Sequence, residues 1–312
     1  MMIALLALLL QQPPTLTPTA AQELPERDRT ALGVSPSGKY VVIVEPERLE
    51  VRDATTLVSL KEIAGRWTAF GFDEREERLL AVGDKVSRFL TKDWSLQLQA
   101  DLPDAKFDSF KPKVKPVFDE KKYPLVPGQA LVLSDLDFYY CTSDGGLSLG
   151  SVSGGKLDAK PMNFKSDIPI GRVFGQLQNS LIVAIERRRP ATALRGKVYP
   201  LMGCSDPFVA MDLGNIAACV GAEEEAIYAY GSWKVLISRS GLPNRCAAFD
   251  GKTGWVFVGD DQGLRAWHKD KFNDAVRIDT FKEGVVQIGV DAPRRALVAL
   301  EKKTIRRWTL SD

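Results

Sequence analysis

The chain has 312 residues, 45% apolar and 26% charged, and its 42 lysines and arginines nearly cancel 40 aspartates and glutamates for a net charge of +2. A chain of that length buries roughly 75% of its unfolded surface and forms one or two domains. The balanced charge excludes any global electrostatic argument for nucleic acid or an anionic membrane.

The N-terminus reads MMIALLALLLQQPPTLTPTAAQ. The apolar run Ile3 to Leu10 is too short to span a bilayer, which takes about 20 residues. It suits the apolar region of a signal peptide, with Thr19-Ala20-Ala21 as the small-residue cleavage site. No positive charge follows Met1, and Pro13, Pro14 and Pro18 lengthen the gap to the alanines. Residues 1–21 are therefore expected to be a signal peptide or a disordered tail, and the protein to be exported, periplasmic or extracellular. A cytoplasmic location is the alternative.

No segment sustains a helical period. Short apolar runs separated by turn signals dominate, which is the all-β pattern. One unit recurs seven times. Its second strand reads Val41-Val42-Ile43-Val44, Leu79-Leu80-Ala81-Val82, Phe138-Tyr139-Tyr140-Cys141, Leu181-Ile182-Val183-Ala184, Ile216-Ala217-Ala218-Cys219, Trp255-Val256-Phe257-Val258 and Ala296-Leu297-Val298-Ala299. A polar residue ends each first strand: Ser35, Asp73, Asp135, Gln176, Asp212, Asp250 and Asp291, at intervals of 38, 62, 41, 36, 38 and 41. A fourth strand follows in most units, as at Val58-Ser59-Leu60-Lys61 and Val276-Arg277-Ile278-Asp279. Four strands per unit of about 40–45 residues is the period of a β-propeller blade. Residues 22–312 are expected to form one all-β domain, a seven-bladed propeller of four-stranded antiparallel blades.

The long interval marks an insertion at 103–127. Pro112, Pro116, Pro124 and Pro127 exclude a central strand there, so it reads as a long loop. The chain ends after the third strand of unit seven. Gln22 to Arg29, or the proline-rich stretch before it, is the spare chain that can supply the missing strand.

The four cysteines, Cys141, Cys204, Cys219 and Cys246, fit no metal-site spacing. Cys204 with Cys219 is the one pair to consider for a disulfide, but their strand registers do not match and free thiols are expected.

At residues 250–269, DGKTGWVFVGDDQGLRAWHK, the chain resembles a WD-repeat propeller unit, and units one, two and seven carry weaker versions of that pattern. The resemblance covers about residues 30–312, at the level of strands and turns. The signature dipeptides are absent: His268 follows Trp267, Thr309 follows Trp308, and Arg52-Asp53 stands where Trp-Asp would. With one histidine in the chain, no Gly-His exists. The likeness is to a divergent WD-repeat-like, bacterial-type propeller. It implies the blade architecture and a surface that binds other molecules, and it implies no counterpart of that family's buried Asp–His–Ser/Thr–Trp network. Fold does not fix function.

Candidate chemistry is sparse. Gly146-Leu147-Ser148-Leu149-Gly150 matches a nucleophile elbow but sits in a strand pattern, not a strand–turn–helix. His268 reads as a turn residue, and one histidine is too few for a histidine-based metal site. Asp135 with Asp137, and Asp260 with Asp261, read as hairpin acids rather than a calcium site. Glu223-Glu224-Glu225 reads as a solvated turn. Most of the six tryptophans fall in apolar strand patterns, as core. No catalytic residue, metal or cofactor is expected.

Two basic segments stand out. The insertion carries Lys106, Lys111, Lys113, Lys115, Lys121 and Lys122 with Phe107, Phe110, Phe118 and Tyr123 interleaved. Glu186-Arg187-Arg188-Arg189-Pro190 is the second-to-third-strand turn of unit four. In a four-stranded blade that turn and the connection to the next blade emerge at the same end. The expected function is thus a non-enzymatic scaffold that binds a protein or acidic macromolecule through this loop face, as a monomer, with no nucleic acid and no transmembrane segment. The alternative is a propeller enzyme, a lactonase, lyase or glycoside-active protein with a carboxylate-based site at the central channel.

Overall fold

A computed structural model describes residues 14–103, 130–142, 146–162, 170–177, 180–185, 189–194, 197–205, 207–241, 243–281 and 284–311. Among them are 28 strands and no helix. In chain order, β1 (Thr15–Glu23) precedes the first sheet, β2 (Ala31–Val34), β3 (Tyr40–Glu45), β4 (Arg48–Asp53) and β5 (Ser59–Ala64). The second sheet is β6 (Trp67–Phe72), β7 (Arg78–Gly83), β8 (Lys85–Leu90) and β9 (Leu96–Asp101), and the third is β10 (Ala130–Val132), β11 (Asp137–Cys141), β12 (Leu147–Ser153) and β13 (Lys156–Met162). The fourth is β14 (Ile170–Leu177), β15 (Ser180–Ile185), β16 (Arg189–Leu194) and β17 (Lys197–Pro200). The fifth is β18 (Pro207–Asp212), β19 (Ile216–Gly221), β20 (Glu224–Ala229) and β21 (Val235–Ser240). The sixth is β22 (Asn244–Asp250), β23 (Trp255–Asp260), β24 (Gly263–His268) and β25 (Lys271–Thr280). The last three strands are β26 (Gln287–Asp291), β27 (Ala296–Leu300) and β28 (Thr304–Ser311). Seven four-stranded sheets of this order make an all-β seven-bladed propeller.

The second strand of each sheet carries the core. Every residue of β3, β23 and β27 is buried, because a strand covered on both faces reads as a continuous apolar run. The fourth strands are half exposed, as in the alternating β21. The second-strand assignments hold in all seven sheets.

The seventh sheet runs β1-β28-β27-β26, so its missing strand comes from the N-terminus. Of the two candidate segments, the proline-rich stretch supplies it: Thr15 pairs with Ser311 and Glu23 with Thr304. Pro18 lies where the register shifts, the position at which a strand tolerates a residue that cannot donate. Thr19 Oγ1 donates to the Arg307 carbonyl at 3.1 Å and accepts from Arg307 Nη1 at 3.0 Å. Leu16 and Ala20 pack against buried clusters. The sheet thus begins at Thr15, inside the segment expected to precede the domain.

Five of the residues that end first strands, Ser35, Asp73, Asp212, Asp250 and Asp291, are turn acceptors. Ser35 Oγ accepts the Tyr40 N–H at 2.9 Å, Asp73 Oδ1 that of Arg78 at 3.1 Å, and Asp291 Oδ1 that of Arg294 at 3.1 Å. In the third sheet the neighbour does this instead: Ser134 Oγ takes the Asp137 N–H at 3.1 Å, and Asp135 faces Arg78 at 3.5 Å.

A second turn was not read from sequence. Between third and fourth strands, Leu57, Trp94 and Trp233 adopt φ of 61°, 57° and 52°, a region that bulky side chains rarely enter. Leu57 N bonds Asp53 O at 2.8 Å, and Trp233 N bonds Ala229 O at 2.9 Å in the same pattern. Packing holds them there: Leu57 is fully buried, and Trp233 meets Tyr230 edge-on at 5.6 Å. Trp233 is therefore a turn anchor, and Trp94 takes the same backbone conformation in the second sheet. Trp67, Trp255, Trp267 and Trp308 are core, as expected.

The chain falls into two compact units, Met1–Ile43, Val51–Leu60 and Pro243–Asp312 in one, Val44–Glu50 and Lys61–Leu242 in the other. In the first, Phe257, Leu264, Leu297 and Trp308 share a core. In the second, Leu80, Val82, Phe138 and Tyr140 form one core, and Ile170, Val183 and Ala191 another.

Candidate binding surface

The second unit contains both strand ends from which the basic segments depart. β9 ends at Asp101 and β10 begins at Ala130, so the insertion connects the second and third sheets. The antiparallel order puts that connection and the β15-to-β16 hairpin at the same end of their sheets. Lys106, Lys111, Lys113, Lys115, Lys121 and Lys122 lie outside the described residues, as do Arg187 and Arg188. Arg189 is described in its backbone: it opens β16 opposite Ile185, and Pro190 pairs with Ala184. Both were read as turn residues and are strand residues, because the β15–β16 pairing runs to Ile185, the last residue of β15.

Other charges at this end of the second unit form pairs. Glu45, 3% exposed, accepts from Arg48 Nε at 2.7 Å, and Arg48 also reaches Glu62. Burial depresses the Arg48 guanidinium, but the hydrogen bonds and charges of Glu45 and Glu62 outweigh it and hold the group above its ordinary value. Arg66 faces Asp84 at 3.8 Å, and Lys85 faces Asp101 at 3.7 Å. Glu225 corrects the reading of a solvated acidic turn. Glu223 is exposed, but Glu225 is 0% exposed in β20 and takes Arg239 Nε at 2.9 Å. Glu225 and Arg239 are register partners of β20 and β21, which brings their side chains onto one face.

The first unit holds a denser version. Asp260, at the end of β23, is 0% exposed. Arg277 grips it with both ends of its fork, Nη1 to Oδ1 at 2.7 Å and Nη2 to Oδ2 at 2.8 Å. Arg265 Nε donates at 3.1 Å, the Gln262 N–H at 2.8 Å, and Arg265 Nη2 also reaches Asn244. Arg265 and Arg277 are register partners of β24 and β25. Burial pushes the Asp260 carboxyl up, but the Arg277 hydrogen bonds, the Gln262 amide and Arg265 more than reverse this and leave it below the ordinary carboxylate range. An Asp–Arg–Arg–Asn cluster thus occupies this hairpin, in a chain that cannot build the histidine-containing network of WD repeats. The seventh sheet repeats the theme with Glu301 and Arg306 Nε at 2.9 Å. Sequence gave one clue, an arginine recurring in the third or fourth strand opposite a turn acid.

The remaining candidates are structural. Ser148 is buried within β12, opposite Tyr140 and Pro161, with no elbow. His268 Nδ1 accepts the Asp270 N–H at 3.3 Å, so Nε2 carries the proton and donates it to the Thr253 carbonyl at 3.1 Å. The ring meets Trp255 edge-on at 5.4 Å. Asp260 is held by arginines, and Asp261 pairs with Arg245. Among the described residues no group of His, Cys, Asp and Glu has a metal-binding arrangement.

No family model matches this sequence, and no curated protein does. Among solved structures, the chain is similar to the β-propeller domain of Cps50 (Swd1) from Myceliophteria thermophila, with a TM-score of 0.68 at 11% identity, over 96% of this chain and 100% of that one. At that identity the likeness extends to the fold alone.

Proposed function

We propose that this protein is a non-enzymatic propeller scaffold that binds an acidic protein or other acidic macromolecule. The binding end is the one where the insertion and the β15-to-β16 hairpin emerge. One observation supports the reading: the strand ends that flank the two basic segments, those of β9 and β10 and those of β15 and β16, lie at the same end of their sheets in one unit. Neighbouring charges there, Glu45 with Arg48, Arg66 with Asp84, Lys85 with Asp101 and Glu225 with Arg239, are engaged with each other. The two segments carry nine cations, Lys106, Lys111, Lys113, Lys115, Lys121, Lys122, Arg187, Arg188 and Arg189, against five acids, Asp104, Asp108, Asp119, Glu120 and Glu186, and this net positive charge steers an acidic partner while the interleaved aromatics add contact.

The test is R187E/R188E/R189E against the unaltered protein in partner capture at several salt concentrations. The variant is expected to keep its circular dichroism and to lose capture most at low salt, where screening is least. Unchanged capture with unchanged salt dependence overturns the proposal.

We further propose export with processing upstream of Thr15. The apolar run Ile3 to Leu10 supports export, and the pairing of Thr15–Glu23 with β28 argues against cleavage after Ala21, which would remove most of that strand. N-terminal sequencing of protein recovered outside the cytoplasm is expected to begin at or before Thr15. A start at Gln22, or Met1 retained in a cytoplasmic fraction, counts against it.

A further inference from the structure

The four cysteines are buried free thiols, but they are not alike. Cys141 belongs to the core of Ile170, Val183 and Ala191. The Cys246 thiol points at the Val285 carbonyl at 4.0 Å. Cys204 and Cys219 share one buried core with Leu201, Ala226 and Tyr228, and Cys219 pushes the Cys204 thiol up.

The surroundings of Cys204 hold it there. It lies in the connection between β17 and β18, so the mismatch of strand registers does not govern where it points. That connection is stitched onto the fifth sheet. Tyr228 Oη donates to the Met202 carbonyl at 2.9 Å. Gly203, at φ +81°, lies so close that an added Cβ would meet Ser238 at 3.3 Å and Val235 at 3.4 Å. The Cys204 thiol approaches the Glu224 carbonyl at 3.7 Å. Cys219 lies in β19, paired with Ala226, and belongs to the same cluster as Cys204.

We propose that Cys204 and Cys219 are a disulfide-forming pair, joined when the chain folds in the presence of a disulfide oxidant, and that the bond fastens the connection between the fourth and fifth sheets to the fifth. Two thiols of one buried cluster need only close to the S–S length of about 2.05 Å, and Cys204, outside any strand, moves without breaking a ladder. The bond closes the segment 204–219, which removes freedom from the unfolded chain. With a glutathione-type oxidant, one thiolate attacks the oxidant's disulfide and releases one reduced thiol. The second cysteine then attacks the mixed disulfide, forms Sγ–Sγ and releases the other. Each cysteine loses a proton, and the pair gives two electrons to the oxidant, which leaves as two thiols. Cys219, burial and the nearby glutamates all push the Cys204 thiol up. Thiolate is the reactive form, so joining belongs to folding, while the segment is open, and not to the finished protein.

The full chain, reduced and unfolded, is refolded either with oxidised and reduced glutathione or with reductant alone. It is then denatured without reductant, alkylated with iodoacetamide and mapped by mass spectrometry. After glutathione folding, Cys141 and Cys246 are expected to carry the label, and one cross-linked peptide to contain Cys204 and Cys219. After folding in reductant all four are expected to be labelled. The C204S variant is expected to label Cys219, and the cross-linked protein to unfold several degrees above the reduced one. Label on all four cysteines after glutathione folding, or a cross-link joining any other pair, overturns the proposal. A wild-type map decides it even if C204S does not fold.

Discussion

In the sixth sheet the two ends are held by different physics. At the first-to-second-strand hairpin, a short polar side chain accepts backbone N–H groups from its own turn: Asp250 takes Lys252 N–H at 3.0 Å and the Thr253 hydroxyl at 2.6 Å. At the second-to-third-strand end, an acid is gripped by arginines from further along the chain: Asp260 by Arg265 and Arg277, as Glu225 is by Arg239 in the fifth sheet. The first kind of bond closes within a few residues and orders a turn. The second kind reaches across strands, so it also fixes which strand lies beside which. The difference teaches where stability is vulnerable. A lost turn acceptor leaves N–H groups that water can reach, whereas a lost acid leaves guanidinium charge stranded under the sheet.

The largest effect that follows is at Asp260. In Asp260→Ala the carboxylate goes while Arg265, only 11% exposed in its side chain, stays charged. Breaking a buried pair this way costs about 3–5 kcal/mol. Denaturant unfolding is expected to show a lower midpoint with an unchanged slope. A loss under about 1 kcal/mol would show that the arginines re-solvate freely and that the two ends are equivalent after all.

Acid sharpens the same comparison. The folded-state carboxyl of Asp260 sits below its ordinary value, through its arginine and amide hydrogen bonds acting against burial. A depressed carboxylate contributes stability above its unfolded pKa, about 3.9, and that contribution is lost as pH falls from there through the lower folded value. Stability measured from pH 6 downward is therefore expected to fall more steeply below about pH 4 in the unaltered protein than in Asp260→Ala. Parallel curves would place the acid sensitivity elsewhere.

How much of this was legible follows from the reach of each interaction. The runs Val41–Val44 and Leu79–Val82 announced their strands because both faces of those strands are covered. Ser35, Asp73, Asp250 and Asp291 announced their hairpins because each acceptor lies within five residues of its donor. Asp135 fell on the same ruler yet does another job, facing Arg78 while Ser134 caps the turn; the choice depends on a neighbouring sheet. Glu225 read as a solvated turn because its partner is fourteen residues away, across a register shift between Ile227 and Tyr228. The N-terminal strand hid more deeply, since TLTPTAAQE carries little strand pattern and its partner is the other end of the chain. At the candidate site, Arg189 was legible as a cation but not as the first residue of β16.

A conservative change separates charge from shape. Arg277→Lys keeps a positive charge beside Asp260 but replaces the two-pronged grip at 2.7 and 2.8 Å with a single point contact. Since Arg277 is partly exposed and Arg265 remains, the expected loss is about 1–2 kcal/mol, well short of Asp260→Ala. A loss as large as that of Asp260→Ala would mean that the fork, not the charge, organises the cluster.

The smallest effect belongs to the opposite end of the same hairpin. Asp250 is 1% exposed, and its carboxylate accepts from Lys252 N–H and from the Thr253 hydroxyl, with Lys252 itself at the surface. Asp250→Ala frees these donors to water, and the backbone bond from Gly254 N to Asp250 O at 2.8 Å still holds the turn. The expected cost is about 1 kcal/mol, the ordinary worth of a hydrogen-bonded turn acceptor. β22 and β23 pair Asp250 with Trp255 at one end and Asn244 with Asp260 at the other, so the length of a strand, roughly 17–20 Å, separates the two acids. Sites that far apart with no shared partner add to within about 0.5 kcal/mol. The double variant Asp250→Ala/Asp260→Ala is therefore expected to lose the sum of the two single losses in denaturant unfolding. A double loss clearly smaller than the sum would show that the turn and the arginine grip rise and fall together, and that one end of the blade cannot be ordered without the other.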